Sequence, residues 1–160
     1  MMSNNIMMSK NITGEPIEIL LIEDDPGDAE LTVEAFKEAK VNNNIHIVKD
    51  GKEGIAFLKK EGKYNLSITP DIILLDLNLP KMGGIEVLSI VKEDDNLKHI
   101  PVVVLTTSSS EQDILKSYKL HANCYITKPV KLDNFIETIK TIENFWLSFV
   151  KLPGGKKSNQ

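Results

Sequence analysis

Arginine is missing altogether, because all 19 basic residues are lysine. Without a planar guanidinium fork the chain has no bidentate arginine contact to guanine and no arginine finger, which argues against a nucleic-acid partner. The lysines are also outnumbered: 23 aspartates and glutamates leave a formal net charge of −4. Cysteine occurs once, at Cys124, so no internal disulfide can form and a reducing cytoplasm is the expected setting. No apolar run approaches the roughly 20 residues that a membrane span requires. Residues 1–15 are polar with scattered methionines, which is not the pattern of a secretory signal. What remains is 160 residues, 41% hydrophobic and 26% charged, the balance of one globular domain with a core to bury.

Along the chain, short apolar runs alternate with longer segments of helical period. Ile17 to Ile22 reads as a strand buried on both faces, followed by a helix from Asp28 to Lys40 with Ala29, Val33 and Phe36 on one stripe. Asn42 to Asn44 signals a turn before a second strand, Ile45 to Val48, and a helix from Gly51 to Lys60. Glu61 to Pro70 reads as a polar loop, Asp71 to Asp76 as the third strand, and Ile85 to Lys92 as a helix after the breakers Pro80, Gly83 and Gly84. Pro101 opens a fourth strand, Val102 to Leu105. Ser110 to Asp113 has the form of a capping box for a helix to about Leu120; Asn123 to Thr127 is the fifth strand, and Lys131 to Val150 the last helix. Strands alternating with helices predict an α/β fold with a parallel sheet covered on both faces and right-handed crossovers. The antiparallel α+β alternative fails for want of a tight hairpin turn.

Glu23, Asp24 and Asp25 follow the first strand, Asp76 ends the third, Thr106 follows the fourth and Lys128 the fifth. In an open doubly wound sheet such ends share one edge, where ligands bind. Several carboxylates in one cleft repel, and one lysine cannot neutralise them, so the site calls for a hard cation held as Mg²⁺ prefers. With the metal bound, a carboxylate oxygen can attack a phosphoryl group while metal, Lys128 and Thr106 offset charge on its equatorial oxygens. Residue chemistry therefore points to metal-assisted phosphoryl transfer with an aspartate as nucleophile.

Ile22 to Asp25, Leu74 to Pro80 with Gly83 and Gly84, Leu105 to Thr107, and Thr127 to Pro129 resemble, in order, the receiver-domain motifs of two-component response regulators. The resemblance covers about Ile17 to Ile142 and implies a flavodoxin-like (βα)5 sandwich with strands in the order 2-1-3-4-5. It also implies that Asp76 accepts a phosphoryl group from a sensor histidine kinase. Asp24, Asp76 and the main-chain carbonyl of Asn78 would ligate Mg²⁺, with Glu23 acting through water. Lys128 would pair with the phosphoryl group ahead of a cis bond to Pro129, and Thr106 and Tyr125 would form a switch pair. The spacing of 52 residues from Asp24 to Asp76 is longer than usual, and the excess is assigned to the loop 61–70. Leu120 to Tyr125, Phe145 to Leu147 and Leu152 to Pro153 narrow the resemblance to stand-alone regulators serving phytochrome-type kinases. The chain then divides into a disordered segment 1–15, a receiver domain 16–150 with an extended last helix, and a flexible tail 151–160. No length remains for an effector or DNA-binding domain, so output is expected to pass to a downstream protein target or phosphorelay member.

Plainer readings apply to several of these residues. Asp25 and Asp28 are read as helix-start acids favoured by the helix dipole. His46, His99 and His121 are dispersed, and His121 with Cys124 is too small a set for a metal site. Gly154 to Ser158 lacks the spacing and context of a phosphate loop. Phe135, Ile139, Ile142, Trp146 and Phe149 make one stripe on a helix of about 30 Å, longer than a six-residue strand of about 20 Å. Phe145, Trp146 and Phe149 are therefore read as an interface, for a homodimer or another partner, rather than as core. The rival function is a Mg²⁺-dependent phosphohydrolase with an aspartyl-phosphate intermediate. Such enzymes place the nucleophile after the first strand with a second Asp two residues on, whereas here Asn78 holds that position.

Overall fold

A computed structural model describes residues 16–39, 42–107, 122, 124–128, 131 and 133. The elements are β1 (Ile17–Ile22), α1 (Pro26–Ala39), β2 (Asn43–Val48), α2 (Gly51–Lys59), a 3₁₀ turn (Gly62–Tyr64), β3 (Ile72–Asp76), α3 (Gly84–Glu93), β4 (Val102–Thr106) and β5 (Cys124–Thr127). The helix predicted to end near Leu120, most of that from Lys131 to Val150, and the segments 1–15 and 151–160 lie outside the described residues.

The five strands form one sheet in the order β2-β1-β3-β4-β5, and every pairing is parallel. The parallel pairing is that expected from the alternation, and the strand order is that implied by the resemblance. β3 and β4 are buried at every position, as strands covered on both faces must be. Leu20, Ile22, Val48, Ile73, Leu75, Val102 and Val104 pack with Ile55, Phe57 and Leu58 of α2 and Val87, Leu88 and Val91 of α3. The alternate residues Ile19, Leu21, Leu74, Val103 and Leu105 point the other way and are equally buried.

Three differences from the sequence reading exceed one residue, each because a side chain or neighbouring strand outweighs local preference. α1 begins at Pro26 rather than Asp28: proline suits the first helical position, and the Asp25 carboxylate accepts from the Gly27 and Asp28 amides at 2.8 and 3.3 Å. β2 begins at Asn43, within the expected turn, because Asn43 and Asn44 pair with Ile17 and Glu18 of β1. The Asn44 amide also donates to the Glu18 carboxylate at 3.0 Å. Within the expected loop 61–70 lies the 3₁₀ turn, held because Tyr64 donates to the Glu53 carboxylate and Ser67 Oγ donates to Phe57 O at 2.8 Å.

Candidate functional site

Strand register sets the site. Ile22 lies beside Leu75, Asp76 beside Leu105, and Thr106 beside Thr127, so the carboxyl ends of β1, β3, β4 and β5 fall along one edge. The backbone past each end stays tied to its neighbour: Glu23 N–H donates to Val48 O at 3.0 Å, Leu77 N–H to Leu105 O at 3.1 Å, and Lys128 N–H to Thr106 O at 2.8 Å. Side chains from distant parts of the chain are thus held by ladder hydrogen bonds rather than by mobile loops.

One oxygen from each of Glu23, Asp24 and Asp76 lies within 4.8 Å of the others. Glu23 and Asp76 are buried and Asp24 is exposed, which gives a cluster rooted in the sheet and open on one side. Lys128 Nζ reaches both buried acids of the cluster and a third, half-buried one: it is 3.1 Å from Glu23 Oε1, 3.4 Å from Asp76 Oδ2 and 2.8 Å from Asp28 Oδ2. Glu23 Oε2 accepts from Lys128 at 3.2 Å and from the Asp25 amide at 3.2 Å. Glu23 Oε1, although buried, makes no hydrogen bond among the described residues. The Lys128 ammonium lies beside that oxygen but is shared with Asp76 and Asp28, so the three clustered carboxylates keep a net negative charge and the donor set fits a divalent metal.

The electrostatics agree. Burial, followed by the adjacent Asp76 carboxyl, pushes Glu23 from its ordinary 4.5 up to about 7, against the pull of Lys128. For Lys128, burial acts downward, but hydrogen bonds to Asp28 and Glu23 and the charge of Asp76 outweigh it and the net shift is upward. Its ammonium stays charged throughout the physiological range.

A pH dependence follows. The folded chain holds a proton on Glu23 that the unfolded chain has released between pH 4.5 and about 7. Without metal, this group makes the fold less stable as pH rises through that window, by up to about 3 kcal/mol. Divalent metal must displace the same proton, so its affinity is expected to fall by up to about tenfold for each pH unit below 7. Metal titrations from pH 8 to 6, with Glu23→Gln as control, measure this; an unchanged slope in the variant would remove Glu23 from the linkage.

Thr106 is buried, and β4–β5 register sets Tyr125 beside Val104, so Thr106 lies two residues further along on the same sheet face. Tyr125 packs against the core, and burial raises its phenol. Asn78 N–H donates to Asp76 Oδ1 at 3.2 Å. The bond between Lys128 and Pro129 and the residues Phe145, Trp146 and Phe149 lie outside the described residues. Asp25, read as a helix-start acid, caps α1 through its carboxylate. Asp28, read as a helix-start acid alone, proves to be an ion-pair partner of Lys128.

The family model for the response regulator receiver domain matches residues 19–140. Response regulator Rcp1 of Synechocystis sp. is 47% identical over 138 residues, which cover 86% of this chain and 94% of that protein. A solved Mn²⁺-bound form of Rcp1 superposes with a TM-score of 0.68, covering 82% of this chain and 95% of the other at 47% identity. The phosphorylated cyanobacterial phytochrome response regulator RcpA superposes with a TM-score of 0.70, covering 83% and 95% at 50% identity.

Proposed function

Because the chain belongs to the response regulator receiver domain family and has its phosphoacceptor signalling role, we propose that Asp76 is the acceptor and that Mg²⁺ is the ion it works with. The observation that carries this is the meeting of Glu23, Asp24 and Asp76 within 4.8 Å, with Lys128 Nζ 3.4 Å from Asp76. The donor is a sensor kinase phosphohistidine. An Asp76 oxygen bonds to phosphorus as the histidine N–P bond breaks, and the imidazole keeps the electron pair and takes a proton from solvent. Asp24 and Asp76, with the Asn78 carbonyl, would hold the metal, and Glu23 would act through water. Bound Mg²⁺ would offset negative charge on the phosphoryl oxygens. Lys128 and Thr106 supply a cation and a hydroxyl beside them.

The added charge then biases Thr106 and Tyr125 between two arrangements, and the face carrying β5 exchanges its protein contacts. The receiver unit spans 16–150. The stripe Phe145, Trp146 and Phe149, outside the described residues, is the surface we assign to a partner or a second copy; sedimentation with and without beryllofluoride, a phosphoryl mimic, tests it. A single cysteine in 160 residues supports a cytoplasmic setting. No helix among the described residues is long and apolar enough to cross a membrane.

Acetyl phosphate with Mg²⁺ tests the chemistry. The mass is expected to rise by about 80 Da, one phosphoryl group per chain, and no further product should accumulate beyond slow loss of that group. Sustained turnover of a phosphate ester would instead make the chain a hydrolase, and an unchanged mass would leave Asp76 without its role.

A further inference from the structure

Lys128 is held by a carboxylate that belongs neither to the metal cluster nor to the acceptor. Its Nζ stands 2.8 Å from Asp28 Oδ2, nearer than the 3.1 Å to Glu23 and the 3.4 Å to Asp76. The lysine side chain is only 10% exposed, so this contact is partly shielded from water, and Asp28 is 32% exposed. Asp28 is itself well anchored in the first turn of α1. Its amide donates to the Asp25 carboxylate at 3.3 Å, and its carbonyl accepts from Thr32 Oγ1 at 3.1 Å.

A metal held by Asp24 and Asp76, with Glu23 reached through water, offsets most of the charge of those acids and weakens their hold on the ammonium. Asp28 lies outside that set. It keeps its charge and its lysine when the site is loaded, and the lysine must loosen this tie to serve the transferring phosphoryl group. We propose that Asp28 is a positioning residue that tethers the Lys128 ammonium on the α1 side of the site and thereby sets the rate at which Asp76 is phosphorylated. The inference rests on the phosphoacceptor reading above. In the step concerned, an Asp76 oxygen attacks the phosphorus of an acyl phosphate, the acyl O–P bond breaks, and a carboxylate leaves. The ammonium offsets charge on the equatorial oxygens without transferring a proton.

The test is the labelling rate from acetyl phosphate at saturating Mg²⁺, followed by intact mass, for the parent chain, Asp28→Asn and Asp28→Glu, with Lys128 intact and again in a Lys128→Gln background. Asp28→Asn is expected to label roughly three- to tenfold faster, the range set by the loss of one partly shielded ion pair. Asp28→Glu should return the rate towards that of the parent. The acceleration should vanish in the Lys128→Gln background and persist in high salt, because a direct contact is screened far less than a distant field. An equal or slower rate for Asp28→Asn overturns the proposal. So does a gain that survives Lys128→Gln or disappears with salt, because either marks a general charge effect on an anionic donor. Failure of the parent chain itself to label would overturn the phosphoacceptor reading and this inference with it, whereas label on the parent with unchanged Asp28→Asn kinetics overturns this inference alone.

Discussion

An Asp76→Asn protein treated with acetyl phosphate and Mg²⁺ is expected to keep its unmodified mass under conditions in which the parent chain gains about 80 Da. The substitution preserves shape in a position buried to 3% exposure, so folding is not the reason for the loss. What disappears is the nucleophile: an amide has no anionic oxygen to offer phosphorus, and its nitrogen lone pair is delocalised into the carbonyl. Glu23 is not a ready substitute, because burial and neighbouring charge hold it largely protonated up to about pH 7 and its Oε2 is engaged by Lys128 and the Asp25 amide. Asp24 is exposed and remains a candidate for weak adventitious labelling, which peptide mapping would separate from Asp76.

The same variant carries a second readout. Removing one of three carboxylates that lie within 4.8 Å lowers both the repulsion in the metal-free site and the charge that draws a divalent ion. Divalent affinity is expected to fall by roughly tenfold or more, since ligand charge count sets affinity for hard cations. Glu23 should meanwhile titrate lower than in the parent chain, yet still above its ordinary 4.5, because burial, the first cause of its shift, is untouched. Carboxyl NMR across pH 4 to 8 would show this. Full labelling of Asp76→Asn would transfer the acceptor role to another residue.

Most of the scaffold could be read directly from residue order, for a physical reason. Strands buried on both faces are written as runs such as Ile72 to Leu75 and Val102 to Leu105, and no surface requirement interrupts them. Once those runs are placed in parallel, the acids and the lysine at their carboxyl ends must share an edge, so Glu23, Asp24, Asp76 and Lys128 were recoverable together. Asp28 was not, because its partner is 100 residues away and its role depends on how the start of α1 leans over the end of β5. Local backbone choices were also hidden. Lys60 and Lys81 adopt φ of 59° and 66°, a left-handed conformation that composition gives no reason to assign to lysine. At Lys60 the demand comes from ending α2, where its N–H donates back to Phe57 O at 3.2 Å.

Replacing Gly84 with alanine is expected to cost about 3 kcal/mol of fold stability and to slow phosphorylation as well. A Cβ at Gly84 would stand 2.6 Å from Asp76 O and 2.7 Å from both Leu77 Cα and Leu77 O. All three are backbone atoms, so no side chain can rotate away, and the start of α3 would have to withdraw from the turn that carries the acceptor. That turn is pinned at the same point, because Gly84 N–H donates to Leu77 O at 3.0 Å. Overpacking against rigid backbone falls at the upper end of the range for inserted methyl groups. The urea midpoint should drop by roughly 1 to 2 M at an ordinary m-value. Gly83 provides the control: it has φ −67° and nothing within 4 Å of a built Cβ, and it caps α3 without a side-chain hydrogen bond. Gly83→Ser should therefore be neutral or mildly stabilising, since a hydroxyl there can accept from a free helix amide. Equal losses in the two variants would mean that glycine serves backbone freedom along the whole turn, and the close approach of α3 to Asp76 would lose its place as the cause.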